Sequence, residues 1–584
     1  MNHETDYHAE PCRQARADLA LALSLNGREL FRDEQPLKIL LMSATLEGER
    51  LAGLLNDAPI LRSEGRMYPV TMRWGRPFQP GEFIEPRLVQ TVLEALNDET
   101  GSLLVFLPGQ AEIRRVHQQL ADALGERSTV LLCPLHGELD LAAQRAAIDP
   151  APAGQRKVVL ATNIAETSLT IDGVRVVIDA GLARVPRFDP GSGMTRLDTQ
   201  RISRASATQR AGRAGRLEPG VCYRLWSEAQ HEQLAAYGSA EILQADLAGL
   251  ALQLTRWGVT PAQLSWLDLP PAAAYAQAQD LLLRLGALQA GQSLALTAHG
   301  QAMAELPAHP RIAHLLLRGQ DLGLAAMACD VAALLGERDI LRGGGADVHS
   351  RLSLLAGESR GARGSQGGVQ RARQLARQYR GYLRGKPTSP VADPQHERWL
   401  GALLALAYPD RVAQQRRAGG AEYRLANGRA ALFGDADALM KSPWLVIADL
   451  GSRQGQREER IYLAATFDPM LFENVLGSDY PVVIGNLILH HFADETLGQL
   501  GRQWRRHARL LLFSEPVRRR FSQHLISGLG PLFGANRVTL HDATVSIAAG
   551  FRGDELARQL DLPASAWICS VTCTLGGAYR LVAR

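Results

Sequence analysis

Between residues 87 and 179 short apolar runs alternate with helix-length amphipathic segments. That rhythm leaves few options other than a parallel sheet covered by helices on both faces. It predicts helix 87–97, strand 102–107, helix 111–124, strand 129–134, helix 141–148, strand 157–161 and strand 175–179. A helix over 17–25 and an apolar strand over 37–42, ending in Ser43-Ala44-Thr45, precede it, and Pro and Gly mark a connector over 74–86. A hairpin is expected from strand 181–188, the turn Asp189-Pro-Gly-Ser-Gly193 and strand 194–201, since Pro and Gly punctuate such turns. After Leu225 the pattern is almost wholly helical, with segments at 245–257, 273–285, 311–336 and 370–383 and a Gly-, Ser- and Arg-rich loop over 342–368. Short β-like runs return at 422–425, 444–448 and 460–464, and beyond Phe467 the pattern is weak.

A chain of 584 residues is too long for one core, at roughly 100–200 residues per domain. Of its 64 Lys and Arg side chains only Lys38, Lys157, Lys386 and Lys441 are lysines. The planar arginine fork suits phosphate, but codon usage in a GC-rich genome accounts for the bias by itself. The net charge of +4 argues neither for nor against a polyanionic partner. Six cysteines, two of them the Cys569–Cys573 pair in an apolar stretch, lack the further ligands of a zinc site, so reduced, partly buried thiols and no metal are expected. Met1–Arg16 is polar and no apolar run approaches the ~18 residues of a membrane span. A cytoplasmic location and no membrane partner are therefore expected.

Chemistry concentrates in two segments. In Gln209-Arg-Ala-Gly-Arg-Ala-Gly-Arg216, Arg213 and Arg216 stand three apart, a spacing that puts both on one face of a helix. Two guanidinium forks aimed at one point suit a transferring γ-phosphate; the plainer reading is a surface helix with paired arginines. Ala161-Thr-Asn-Ile-Ala-Glu-Thr-Ser-Leu-Thr-Ile-Asp172 follows a predicted strand, and its hydroxyls and backbone donors fall where open α/β sheets bind ligands. Thr162 and Asn163 are candidates for a nucleic-acid phosphate and Asp172 for the nucleotide. An ordinary strand-to-helix loop is the alternative, and its closeness to the arginine segment argues against it.

With these motifs in place, the chain resembles the DEAH-box helicases of superfamily 2, most closely the HrpB type, from about Ala17 to Thr466. Ser43-Ala44-Thr45 is similar to motif III, Gly65–Val70 to the segment leading between the lobes, and Leu104-Val-Phe-Leu-Pro-Gly109 to motif IV. Ala161–Gly173 is similar to motif V and Gln209–Arg216 to motif VI. The resemblance implies that Arg213 and Arg216 are the finger pair and that Gln209 contacts the γ-phosphate or its water. It makes Asp172 a nucleotide contact, Thr162 and Asn163 contacts to the RNA backbone, and Ser43, Ala44 and Thr45 the interlobe coupling. Ile148 falls where many relatives stack an aromatic on adenine, which weakens the base sandwich. The hairpin becomes a wedge between strands.

The implied fold is an α/β RecA-like helicase lobe, a parallel sheet with helices on both faces, followed by helical winged-helix and ratchet-like domains and a small OB-like β module. Its divisions are a first-lobe remnant (1–73), the second lobe (74–235), winged-helix-like (236–305), helical ratchet-like (306–410), OB-like (411–470) and a divergent extension (471–584). The implied function is that of an ATP-dependent RNA helicase, with ATP and Mg2+ as cofactors and nucleic acid, single-stranded RNA in particular, as partner.

One departure cuts against activity of these residues alone. A P-loop needs Gly-Lys followed by Ser or Thr, but the only Gly-Lys is Gly385-Lys386, followed by Pro387. The Asp-Glu pairs at Asp33, Asp98, Asp494 and Asp554 lack the His or Asp two places on, and His8-Ala-Glu-Pro11 stands where the acidic box belongs. The Mg2+ ligands are therefore not expected among these residues. The rival reading is a catalytically inactive nucleic-acid-binding fragment or regulatory subunit. The basic runs Trp504–Arg509 and Arg518–Arg520 read as solvated faces.

Overall fold

The computed structural model describes residues 7–8, 15–31, 37–42, 48–61, 68–79, 81–125, 129–137, 139, 141–167, 171–189, 194–289, 294–337, 339–341, 345–358, 365–383, 398–451, 459–469, 482–486, 489–507, 510–516, 518, 545–562, 569–573 and 578–583. They form two units, 1–394 with 403–465, and 395–402 with 466–584.

The first unit opens with α1 (Ala15–Phe31) between two strands that pair in parallel over two residues each, β1 (Tyr7–His8) and β2 (Leu41–Met42), and α2 (Gly48–Leu54) follows. Only the last two residues of the expected strand 37–42 are thus paired. α1 packs elsewhere: Ala22 is buried among Leu247, Ala251 and Leu254, and Trp257 Nε1 donates to Asn26 Oδ1 at 2.8 Å.

The central lobe runs β3 (Val70–Trp74), α3 (Glu85–Asp98), β4 (Ser102–Phe106), α4 (Gln110–Leu124), β5 (Val130–Leu135), α5 (Leu141–Ile148), β6 (Arg156–Ala161), α6 (Ile164–Thr167) and β7 (Val174–Asp179). The hairpin strands β8 (Leu182–Asp189) and β9 (Met194–Arg201), then α7 (Arg204–Gly212) and β10 (Gly220–Arg224), complete it. The six-stranded sheet is parallel throughout, in the order β3-β10-β7-β4-β6-β5. All five residues of β4 are buried, because its two faces meet different helices. Leu103 and Val105 pack with Leu88, Val92, Val116 and Leu120, whereas Leu104 and Phe106 pack with Ala147, Ala165, Ala211 and Ala214. From β4 the chain adds β5 and β6 on one side and then β7 and β10 on the other. That reversal puts a topological switch point at β4, and the C-terminal ends of the strands at such a point are the usual ligand position in open sheets.

Beyond α8 (Glu228–Glu232), α9 (Ala248–Trp257), α10 (Ala272–Arg284), a small ribbon of β11 (Leu288–Gln289) and β12 (Ala295–Leu296), and α11 (Ala298–Glu305) share one core. The expected single helix 311–336 is two, α12 (Pro310–Asp321) and α13 (Ala325–Gly336), separated at Gly323, whose φ of +73° an L side chain rarely adopts. α14 (Val348–Ala356) lies inside the expected loop, and α15 (Gln366–Tyr382) and α16 (Arg398–Ala407) follow. β13 (Val412–Gln415), β14 (Glu422–Leu425), β15 (Ala430–Leu432), β16 (Trp444–Gly451) and β17 (Glu459–Thr466) close a five-stranded barrel in the order β13-β14-β15-β17-β16. Tyr423 fills its centre and donates its hydroxyl to Ser442 O at 2.8 Å.

The second unit holds more order than its sequence pattern suggests. β18 (Val482–Asn486) and β19 (Leu510–Pro516) pair in parallel around helix Asp494–His507, and β19 continues into β21 (Ala578–Ala583) and the edge strand β20 (Cys569–Cys573). Cys569 and Cys573 are both exposed on that edge strand rather than partly buried.

Candidate functional site

β6 carries Thr162 and Asn163 to the C-terminal edge of the sheet. Thr162 N–H donates to Leu135 O at 3.3 Å, and the Thr162 and Asn163 carbonyls accept from Ala165 N (3.2 Å) and Glu166 N (2.9 Å), which starts α6 at once. The Asn163 side chain is exposed and that of Thr162 half-buried.

Three residues further on, Glu166 joins this loop to the arginine segment. Its carboxylate lies 3.1 Å from Arg210 Nε. Arg210 is fully buried; its Nη1 also reaches Asp179 Oδ1 at 2.9 Å and Leu182 O at 3.2 Å, with the guanidinium 4.8 Å from the Phe106 ring centre. Burial opposes its charge, but Asp179 and then Glu166 outweigh that and raise its pKa. The Glu166 carbonyl accepts Arg213 Nε at 3.0 Å and Arg213 Nη2 as well. Burial, then the neighbouring Arg216, lower the Arg213 pKa to about 10, so the guanidinium is protonated at neutral pH.

The expectation that Arg213 and Arg216 share a helical face does not hold. α7, capped by Ser203 Oγ accepting from Ser206 N at 3.2 Å, stops at Gly212; Arg213 is its C-cap and Arg216 stands exposed in the turn beyond. Gly215 makes this turn possible, because a Cβ there would come within 2.5 Å of Tyr68 O. Gln209 stays on α7, half-buried. Tyr68 belongs to the expected interlobe segment; Ser43, Ala44 and Thr45 lie outside the described residues.

Ile148 and Asp172 are brought together: Asp172 N–H donates to Ile148 O at 3.4 Å, with the Ile148 side chain half-buried and Asp172 exposed. Lys157 organises this corner. Its ammonium, buried under β6, donates to Ala147 O at 3.0 Å, Ala146 O at 3.2 Å and Asp149 O. A compact cation with three donors thereby satisfies the last carbonyls of α5 and complements its dipole. Burial lowers the Lys157 pKa against the opposing pull of Cys133, Asp149 and Asp172.

Glu166, Asp179, Arg210 and Lys157 were not singled out from the sequence. Two signals were available: an acid closing the apolar strand Val-Arg-Val-Val-Ile-Asp179, and a lysine in a chain that otherwise uses arginine. Among the described residues no group of three metal-ligating side chains occurs.

A parallel sheet with an arginine pair beyond α7 and a hydroxyl–amide loop after β6 is the fold of a RecA-like helicase lobe. Residues 86–218 match the helicase conserved C-terminal domain family. The chain is 45% identical over 459 residues to ATP-dependent RNA helicase HrpB of Escherichia coli (strain K12), covering 78% of this chain and 53% of that protein. It is 38% identical over 321 residues to "Probable ATP-dependent RNA helicase DHX34" of Mus musculus, covering 53% of this chain and 28% of that one. A crystal structure of the Escherichia coli DEAH/RHA helicase HrpB superposes with a TM-score of 0.67 at 44% identity, covering 78% of this chain and 55% of that chain. The chain is a relative of the HrpB-type DEAH-box helicases of superfamily 2, and it spans about half the length of the HrpB proteins it matches. No helix among the described residues is long and apolar enough to cross a membrane.

Proposed function

We propose that this chain forms the arginine-finger and RNA-gripping half of an ATP-dependent RNA helicase of HrpB type, acting on single-stranded RNA in the cytoplasm. The observation that carries this reading is the double grip of Glu166, whose carboxylate holds Arg210 and whose carbonyl holds Arg213. One residue of the strand-binding loop thereby sets the arginine segment, so RNA on Thr162 and Asn163 and a γ-phosphate before Arg213 and Arg216 act on the same turn. Gln209 supports the phosphate or its water, and Asp172 with Ile148 receives the nucleoside. Donors fixed before charge develops lower the barrier without reorganising.

Within this reading residues 74–235 act as the second lobe, 236–305 as winged-helix-like, 306–410 as ratchet-like, 411–470 as the OB-like module and 471–584 as an extension. Residues 1–73 are the first-lobe remnant, although α1 shares the winged-helix-like core. An inactive RNA-binding subunit is the second reading. RNA-stimulated phosphate release separates the two when measured on the chain alone and with a P-loop lobe joined ahead of it. The helicase reading expects turnover only in the joined protein; a joined protein that binds RNA and ATP without turnover establishes the inactive subunit.

A further inference from the structure

The hairpin of β8 and β9 forms a sheet of its own, with eight residue pairs from Leu182↔Arg201 to Asp189↔Met194. No strand residue whose burial is described in it is fully buried. Two-stranded hairpins without a core are marginal in water, so its direction is set by what holds its ends. At the root Leu182 O accepts from Arg210 at 3.2 Å, and Arg184 pairs with Glu112 of α4 at 3.2 Å. Towards the tip Phe188 N–H donates to Gln244 O at 2.6 Å. Among the described residues the tip meets the barrel through four charged side chains, and Arg196 also lies 3.8 Å from Asp189 across the hairpin. Glu459, the first residue of β17, is buried, and its Oε1 accepts from Arg196 of β9 at 2.5 Å and lies 3.3 Å from Arg429 Nη2. Arg429 in turn lies 3.4 Å from Asp189 of β8.

We propose that Glu459 and Arg429 are positioning residues: the barrel seats the hairpin tip and fixes the angle at which the hairpin meets a strand junction. The proposal rests on the reading of this chain as an RNA-binding helicase half with the hairpin as its wedge. Among the described residues neither barrel residue is paired with the arginine segment or the strand-binding loop, whereas both are paired with the hairpin. Two of the four charges come from each side, and Arg196 and Arg429 are partly exposed, so salt weakens the seat.

The test uses the whole chain with two measurements. Hydrogen exchange of hairpin amides 182–189 and 194–201 is followed in wild type, Arg196→Gln, Glu459→Gln and the double variant. Binding is measured to a single-stranded RNA and to the same strand ending in a duplex. The expected result is hairpin exchange at least tenfold faster in either single variant, no further gain in the double, and recovery of wild-type rates in none. Preference for the duplex-bearing RNA falls at least threefold, while affinity for the single strand is unchanged. Arg196→Gln lies on the hairpin, so it reads the seat even where Glu459→Gln unfolds the barrel. Unchanged exchange in Arg196→Gln overturns the seat, and faster exchange with unaltered junction preference overturns its role in positioning. Wild type that binds neither RNA overturns the RNA reading instead, leaving the exchange data to decide the seat.

Discussion

Glu166 and Arg210 form a buried ion pair, 3.1 Å between Oε2 and Nε, that joins the loop after β6 to α7. Asp179 completes the triad from the end of β7. The three residues come from separate stretches of chain, so the pairing registers two motifs against the sheet at once.

Arg210→Met removes a fully buried cation from two carboxylates that stay behind. Breaking a buried pair from one side costs about 3–5 kcal/mol, enough to lower the unfolding midpoint clearly. Arg210→Lys keeps the charge but cannot reach Glu166, Asp179 and Leu182 O together, and falls between. Urea unfolding of the variants checks this; wild-type stability in Arg210→Met would show that the triad contributes nothing net.

How much of this was legible in the sequence follows from burial. β4, β6 and β7 are buried on both faces along most of their length and each carries a run of three or more apolar residues, whereas β3, with an exposed centre, and β10 beside it carry mixed residues and escaped notice. The hairpin strands came out within one residue, because Pro and Gly mark its turn. The helix expected over 311–336 breaks at Leu322-Gly323-Leu324 for a reason periodicity does not register, the positive φ of Gly323. In the site, the arginine pair was visible as a motif, but Glu166, Asp179 and Arg210 were not. A buried ion pair has the same letters as two solvated surface charges, and only the fold brings the partners together.

Single-stranded RNA binding by the chain is expected to weaken roughly twentyfold between 50 and 200 mM salt, the response of about three neutralised phosphates. Thr162→Ala lowers affinity several-fold and leaves the salt slope unchanged, because the lost hydroxyl is neutral. Fluorescence anisotropy across a salt series reads both. A salt-independent affinity would remove phosphate contact from the account.

Buried His314 and half-buried His299 are paired, Nδ1 to Nε2 at 2.8 Å. Burial drives His314 down to about 3, with His299 and Arg318 adding to the shift, and burial lowers His299 as well. An unfolded histidine titrates near 6.5, so from there down to about 3 the unfolded chain takes up a proton that folded His314 refuses. Stability is therefore lost as pH falls through this window, by about 1.4 kcal/mol per pH unit for a single group, and is unaffected above pH 7.5. Urea midpoints at pH 7.5, 6 and 5 should decline less steeply in His314→Gln; an identical slope would remove the pair as the cause.

The finger assignment is tested where both halves of the site are present, with a P-loop lobe joined ahead of the chain. Arg213 and Arg216 lie on one turn, and Arg213 is already fixed by the Glu166 carbonyl. Replacing either with Ala should leave ground-state ATP affinity within a few-fold, because most phosphate contacts belong to the P-loop. Turnover should fall by about 10³-fold or more, since finger arginines act on charge that develops in the transition state. Lysine restores little, because a point charge does not reproduce the planar fork. Arg213→Lys should restore least, because Arg213 uses part of its fork on Glu166 O and must reach the phosphate with the rest. Single-turnover hydrolysis and equilibrium binding of a non-hydrolysable analogue, measured on the four variants, separate these effects. Wild-type turnover in both alanine variants would reduce the Gln209–Arg216 segment to a structural turn.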